Sequence, residues 1–263
     1  KRVETIGEGP QHADITYRAM TVAPSDTENA IINTLRYYEA QNAIVFANTR
    51  AMVARLTARF SNRGFSVVSL SGELSQNERT HALQAMRDGR ARVCVATDVA
   101  ARGIDLPNLE LVIHADLPSN GETLLHRSGR TGRAGRKGIS ALIVPGRQKS
   151  KAERLLRFAK LTAEWSNAPS ADDVNARDEE RMLNDPKSDR FAHDFLDGWL
   201  GLSDIDATTP DKQLYPEYDD ALKAAMLDET RGFFAEILEK NLKVSDFLDS
   251  DFLDSKHGVP ACP

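Results

Sequence analysis

The chain has 263 residues, 41% hydrophobic and 28% charged, with two cysteines and a formal net charge of -5. That length suits one large domain or two modest ones, no apolar run reaches the about 20 residues that cross a bilayer, and the start "KRVETIGEGPQ" lacks a signal peptide's apolar core, so a cytoplasmic protein with no membrane partner is expected. Residues 1–160 hold 24 Lys+Arg against 15 Asp+Glu and residues 161–263 hold 10 against 24, so a basic half that suits a polyanion precedes an acidic half that does not.

From residue 15 to 160, β-branched runs alternate with helical stretches. Strands are expected at 15–22, 42–47, 65–70, 91–96, 109–115 and 139–144. Helices are expected at 26–38, 49–62, 76–88, 122–129 and 148–160, with capping boxes in Ser25/Glu28 and Ser75/Glu78. The alternation predicts an α/β fold, a parallel sheet sandwiched by helices, with ligands at loops beyond the strands' carboxyl ends. Cys94, inside "RVCVAT", reads as a buried small residue. "AEWSNAPSADD" (163–173) reads as the core of a linker over 163–177 between a domain at 1–162 and an acidic, mostly helical segment at 178–263. Near the end "DFLDS" occurs twice in succession, 246–250 and 251–255. Two copies are too few for a repeat architecture.

Four segments of the basic half carry chemistry. In "VFANTR", Asn48, Thr49 and Arg50 follow a buried strand, and Thr49 is also a candidate helix cap. In "SGELSQNER", Gly72 permits a turn before a helix whose free N–H groups, with Gln76 and Arg79, can receive a phosphate. In "ATDVAARGID", Thr97 and Arg102 suit backbone oxygens, which report no base identity, while Asp98 is as easily a turn residue. "HRSGRTGRAGRKG" (126–138) gathers four arginines and four glycines into thirteen positions. Arginine is an always-ionised planar fork suited to phosphate. The apolar flanks "ETLL" and "ISALIV" embed the stretch in a folded domain rather than a disordered tail. The histidines show no metal spacing, and no metal site is expected. Trp165 and Trp199 read as packing residues.

In that order, the four segments resemble the C-terminal RecA-like domain of DEAD-box RNA helicases, most like the bacterial cold-shock type, over roughly residues 1–175. The resemblance implies that Arg130 and Arg133 act as arginine fingers on the γ-phosphate of ATP. It implies that His126 bonds across a cleft to the acidic motif of a partner N-terminal RecA-like domain, with Arg127 on the same contact surface. Gly129 and Gly132 would turn the backbone so that both fingers point one way. Gly103 would admit the nucleotide and Asp105 would hold its ribose. Asn48, Thr49, Arg50, Gly72, Gln76, Arg79, Thr97 and Arg102 would contact single-stranded or structured RNA.

Neither the GxxxxGK[ST] phosphate loop nor the DEAD motif occurs in these residues. Mg²⁺ and the attacking water would therefore be held by the missing N-terminal domain, and the isolated chain is expected to be an inactive half of an ATP-dependent RNA helicase. Gly121 stands where the family tends to carry proline, and the glycine would loosen the entry to the His126 motif. The alternative is a non-catalytic RNA-binding or helicase-partner module with an acidic protein-interaction tail. Residues 178–255 resemble instead a helical planctomycete domain of unknown function, which places a join between Val174 and Arg181.

Overall fold

The computed structural model describes residues 14–102, 106, 109–133, 135–207, 210–240 and 242–243. Gly103 and Asp105, the DFLDS repeat, His12, His257 and Cys262 lie outside the described residues. The chain divides into two compact units between Asp178 and Glu179.

The first unit is built on a seven-stranded sheet, and every adjacent pair in it is parallel. Its strands are β1 (Ile15–Val22), β2 (Ala43–Phe46), β3 (Val67–Leu70), β4 (Val93–Ala96), β5 (Leu111–His114), β6 (Gly138–Pro145) and β7 (Glu164–Asn167), in the order β3-β4-β2-β5-β6-β1-β7. The helices are α1 (Thr27–Tyr38), α2 (Arg50–Asn62), α3 (Gln76–Arg87), α4 (Gly121–Ser128), α5 (Lys149–Phe158) and α6 (Ala171–Leu183), the last of which contains the division between units.

Alternation along the strands sorts the core by face. Ala43 and Val45 of β2 pack with Ile31 and Leu35 of α1 and Leu56 and Phe60 of α2. Their neighbours Ile44 and Phe46 point the other way, into a cluster with Leu70, Met86 and Leu106. Further along that second face, Ala19 and Leu142 meet Leu124 of α4 and Leu155 and Leu156 of α5. α1 and α2 move the chain one way across the sheet, and α3, α4 and α5 move it back. Right-handed crossovers then place the two groups on opposite faces.

Local signals start most helices. Thr49 caps α2 by accepting from the Met52 N–H at 3.2 Å. The Ser75/Glu78 box opens α3, and its hydrogen bonds hold the Glu78 carboxyl below the usual range. Asn120 caps α4 by accepting from the Thr123 N–H at 2.8 Å. Gly121, the first residue of α4, sits so close to α5 that a Cβ there would stand 3.2 Å from the Ala159 backbone nitrogen. Close packing, rather than a loosened entry, accounts for this glycine.

Two expectations are corrected. Ser25 and Glu28 form no capping box: Ser25 lies in a short 3-10 turn, and the Glu28 carboxylate is drawn to Arg55 at 2.5 Å and Arg59 at 3.0 Å on α2. The expected linker over 163–177 instead holds β7 and the start of α6. β7 is an edge strand with all four residues exposed, held in register on β1 and by the Arg18–Glu164 ion pair at 3.1 Å. Its period-two hydrophobic signal is absent because neither face is deeply covered.

In the second unit, α7 (Ser188–Trp199) and α8 (Asp220–Glu239) are joined by a two-pronged ion pair from Arg231 to Asp197, at 2.8 and 2.9 Å. Phe195 stacks on Phe234 with centroids 6.0 Å apart. Trp199, expected to pack, lies with its ring centre 5.8 Å from that of Phe195 and is 51% exposed.

Cys94 lies in β4 with no solvent exposure, and burial pushes its thiol up to about 12. Thiolate is the reactive form. Peptide-resolved iodoacetamide labelling at pH 8 should leave Cys94 unmodified in the native chain and modify it fully in urea.

Candidate functional site

Three of the four motif segments converge through one side chain. Arg127, on the last turn of α4, is 2% exposed and among the largest fully buried side chains. Its guanidinium donates twice to the Asp98 carboxylate, at 2.6 and 2.8 Å. It donates also to the Asp116 carbonyl at 2.9 Å and to Asn48 Oδ1 at 2.8 Å, and lies over the Phe46 ring at 5.2 Å. An always-charged fork is satisfied here in one plane by three separate loops, those after β2, β4 and β5. The expectation that Arg127 faces a partner domain is therefore corrected: it is an internal clamp. Asp98, left open as turn or function, is its counter-ion.

Beyond the carboxyl ends of the neighbouring strands β3, β4 and β2 lie the residues expected on RNA. Arg50 pairs with Glu73, joining the first segment to the second. Arg79 donates to the Arg102 carbonyl at 2.7 Å, joining the second to the third. Thr97 Oγ1 accepts from the Ala100 N–H at 3.4 Å. Gln76 opens α3 and is exposed. Asn48 is spent internally, its amide donating to the Leu117 carbonyl and its oxygen accepting from Arg127. Gly72 has no left-handed φ, so its turn needs no glycine freedom; a Cβ there would lie 3.9 Å from Arg50.

His126 lies beside Arg127 on the last turn of α4, and Arg130 and Arg133 follow on the loop that runs from there to the start of β6. His126 and Arg133 are exposed and Arg130 is half-buried. Arg133 Nε donates to the Gly129 carbonyl at 2.9 Å, closing the end of α4. Between the two arginines, buried Thr131 donates to the Leu109 carbonyl at 2.5 Å. The arginine loop is thereby tied to the segment that follows "ARGID". Gly132 takes φ +66°, and a Cβ there would strike Ile15 at 2.5 Å. A Cβ on Gly138 would overlap the Thr131 side chain and stand 2.6 Å from the Gly132 nitrogen. Gly129, with φ -65°, needs no such freedom.

Beneath α4, His114 is fully buried. Its Nε2 lies 3.0 Å from Ser140 Oγ, which is 2.9 Å from Ser128 Oγ. Burial first, and then the Arg127 charge, hold His114 well below its ordinary value of 6.5.

Residues 26–135 match the family described as "Helicase conserved C-terminal domain". The chain is 33% identical to E. coli DEAD-box protein SrmB, solved bound to regulator of ribonuclease activity A, with a TM-score of 0.56 over 61% of this chain and 93% of that one. The chain belongs to the DEAD-box family. Within it, the first unit is the C-terminal RecA-like helicase domain. It is also 25% identical to a variant of S. cerevisiae Dbp5 solved bound to RNA and ADP BeF3, with a TM-score of 0.55 over 65% of this chain and 44% of that one. DEAD-box ATP-dependent RNA helicase 53 of Oryza sativa subsp. japonica is 47% identical over 113 residues, 43% of this chain and 18% of its own length. The chain spans about a fifth to a third of the length of the curated relatives it matches. Residues 150–255 match a second family, described as "Protein of unknown function (DUF1592)".

Arg127 is buried while the side chain of its counter-ion Asp98 is 38% exposed. The larger penalty, about 3–5 kcal/mol, therefore falls on leaving the guanidinium without Asp98. Losing the guanidinium costs its hydrogen bonds and packing, about 2–4 kcal/mol. Arg127→Ala should lower urea stability by that latter amount, and Arg127→Lys should recover little of it, because an ammonium cannot serve three acceptors in one plane. Gly138→Ala should destabilise by about 1–3 kcal/mol through overpacking. Below pH 6.5 the unfolded chain takes up a proton at His114 that the folded chain refuses. Stability should fall as pH drops through that value, by at most about 1.4 kcal/mol per pH unit. Urea midpoints at pH 7.5 and 5.5 should show the difference, and His114→Gln should shrink it.

Proposed function

We propose that this DEAD-box domain supplies the second half of an ATP-dependent RNA helicase, binding RNA backbone along the carboxyl edge of its sheet and completing an ATP site held by an N-terminal RecA-like domain. The observation that carries the reading is the Arg127 clamp. It fixes the loop bearing Thr97 and Arg102 and the loop bearing Asn48 to the helix that Arg130 and Arg133 follow.

Arg50, Gln76, Arg79, Thr97 and Arg102 present guanidinium, amide and hydroxyl groups to phosphate oxygens, and such contacts carry no base information. Thr49 serves as helix cap and stands beside them. Asn48 acts as a positioning residue, since its side chain is committed to Arg127. Arg130 and Arg133 stabilise charge on the transferring γ-phosphoryl group. His126 reaches the partner domain's acidic motif. Gly103 and Asp105 take the nucleotide's ribose side, as the family resemblance assigns. ATP brings Mg²⁺, held by the N-terminal domain. The Dbp5 variant solved bound to both RNA and ADP BeF3 supports a domain that meets the two ligands together.

Alone, the purified chain should hydrolyse ATP at the uncatalysed rate. Mixed with a separately purified N-terminal DEAD-box domain and RNA, it should restore ATPase activity, and Arg130→Ala or Arg133→Ala should reduce that activity by about 10³-fold. Unchanged stimulation by either variant would remove the arginine-finger assignment.

A further inference from the structure

The helix that follows β6 carries charge that the reading above does not use. Arg147, Lys149, Lys151, Arg154, Arg157 and Lys160 fall within fourteen residues, with Glu153 the one acid among them. All six cations are exposed. None of them forms an ion pair among the described residues, whereas Arg18, Arg50, Arg55, Arg59 and Arg90 elsewhere in the unit do.

Apolar residues are interleaved with these cations. α5 buries Ala152, Leu155 and Leu156 against the sheet. That leaves Lys151, Arg154 and Phe158, at i, i+3 and i+7, along one outward stripe. Phe158 is 73% exposed. On the neighbouring edge, Trp165 of β7 is 38% exposed, with the Lys149 ammonium 5.5 Å from its ring centre. Sequence alone read this tryptophan as packing. A solvated helix face accounts for cations, but not for a bare phenyl ring set between them.

We propose that α5 and the β7 edge form an additional contact for single-stranded RNA, continuous with the carboxyl edge. This rests on the RNA reading given under Proposed function and extends it to a surface outside the four motifs. Arg147 and Lys149 follow the carboxyl end of β6, two strand positions from β2 and four from β3, so about 10 and 19 Å along the same edge. An RNA strand leaving the motif loops would pass over Arg147 and run down α5. Lys151, Arg154 and Arg157 would meet phosphates, and Phe158 and Trp165 would offer ring faces to unstacked bases, a sequence-tolerant mode. An acidic protein segment would satisfy the charges but leaves the exposed ring faces without a matching group.

The test is fluorescence anisotropy of the full chain with a labelled oligouridylate, across a salt series. Lys151→Gln/Arg154→Gln/Arg157→Gln should weaken binding at least tenfold and reduce the slope of log K against log salt by about 2, at roughly 0.7 per lost phosphate contact. Phe158→Ala should weaken binding about five- to tenfold with the slope unchanged, since stacking releases no counterions. All four positions are exposed, so thermal midpoints should match the parent chain. If the parent binds RNA and both variants bind it with the parent's affinity and slope, the α5 contact is wrong, whatever acidic protein the surface captures. If the parent itself binds no RNA, the motif-edge reading fails first and this proposal falls with it.

Discussion

One buried guanidinium organises the helicase domain. Arg127 lies where the loops after β2, β4 and β5 meet the end of α4, and its donors go to acceptors from each: Asn48, Asp98 and Asp116. Burying an isolated charge is prohibitive, so the arrangement stands only while all acceptors are in place. A clamp of this kind makes the loop positions interdependent. None of these three loops can drift without leaving a buried donor unsatisfied.

That dependence has a functional consequence. The residues proposed for RNA occupy the carboxyl edge of β3, β4 and β2, and the two proposed arginine fingers follow the end of α4. α4 connects the two through a buried anchor at Arg127 and a second tie from Thr131 to the Leu109 carbonyl. A displacement at one end is transmitted because close-packed interiors do not absorb it. Gly132 and Gly138 serve this arrangement by letting the arginine loop lie flat against the starts of β1 and β6.

Much of the domain was legible in sequence, for reasons that differ by element. β2 and β4 are apolar runs bounded by polar turns, and the Ser75/Glu78 box marks the start of α3 within a residue. β7 was not legible: "EWSN" has a single large apolar residue, and its pairing is decided by β1 rather than by its own pattern. Ser25 with Glu28 had the spacing of a box, yet two arginines on α2 outcompete the local cap. Within "HRSGRTGR", the period of three drew attention to every arginine alike. Which one turns inward depends on Asp98 and Asp116, 29 and 11 residues earlier in the chain, and a single sequence carries no sign of that pairing.

The most direct test is a double-mutant cycle on Arg127 and Asp98, read by urea unfolding of the full chain. If the clamp is the organising contact, Arg127→Ala and Asp98→Ala should each be strongly destabilising, and the double variant should be little worse than either, a coupling above about 2 kcal/mol. Additive effects, with coupling near zero, would show that the loops hold their places without it.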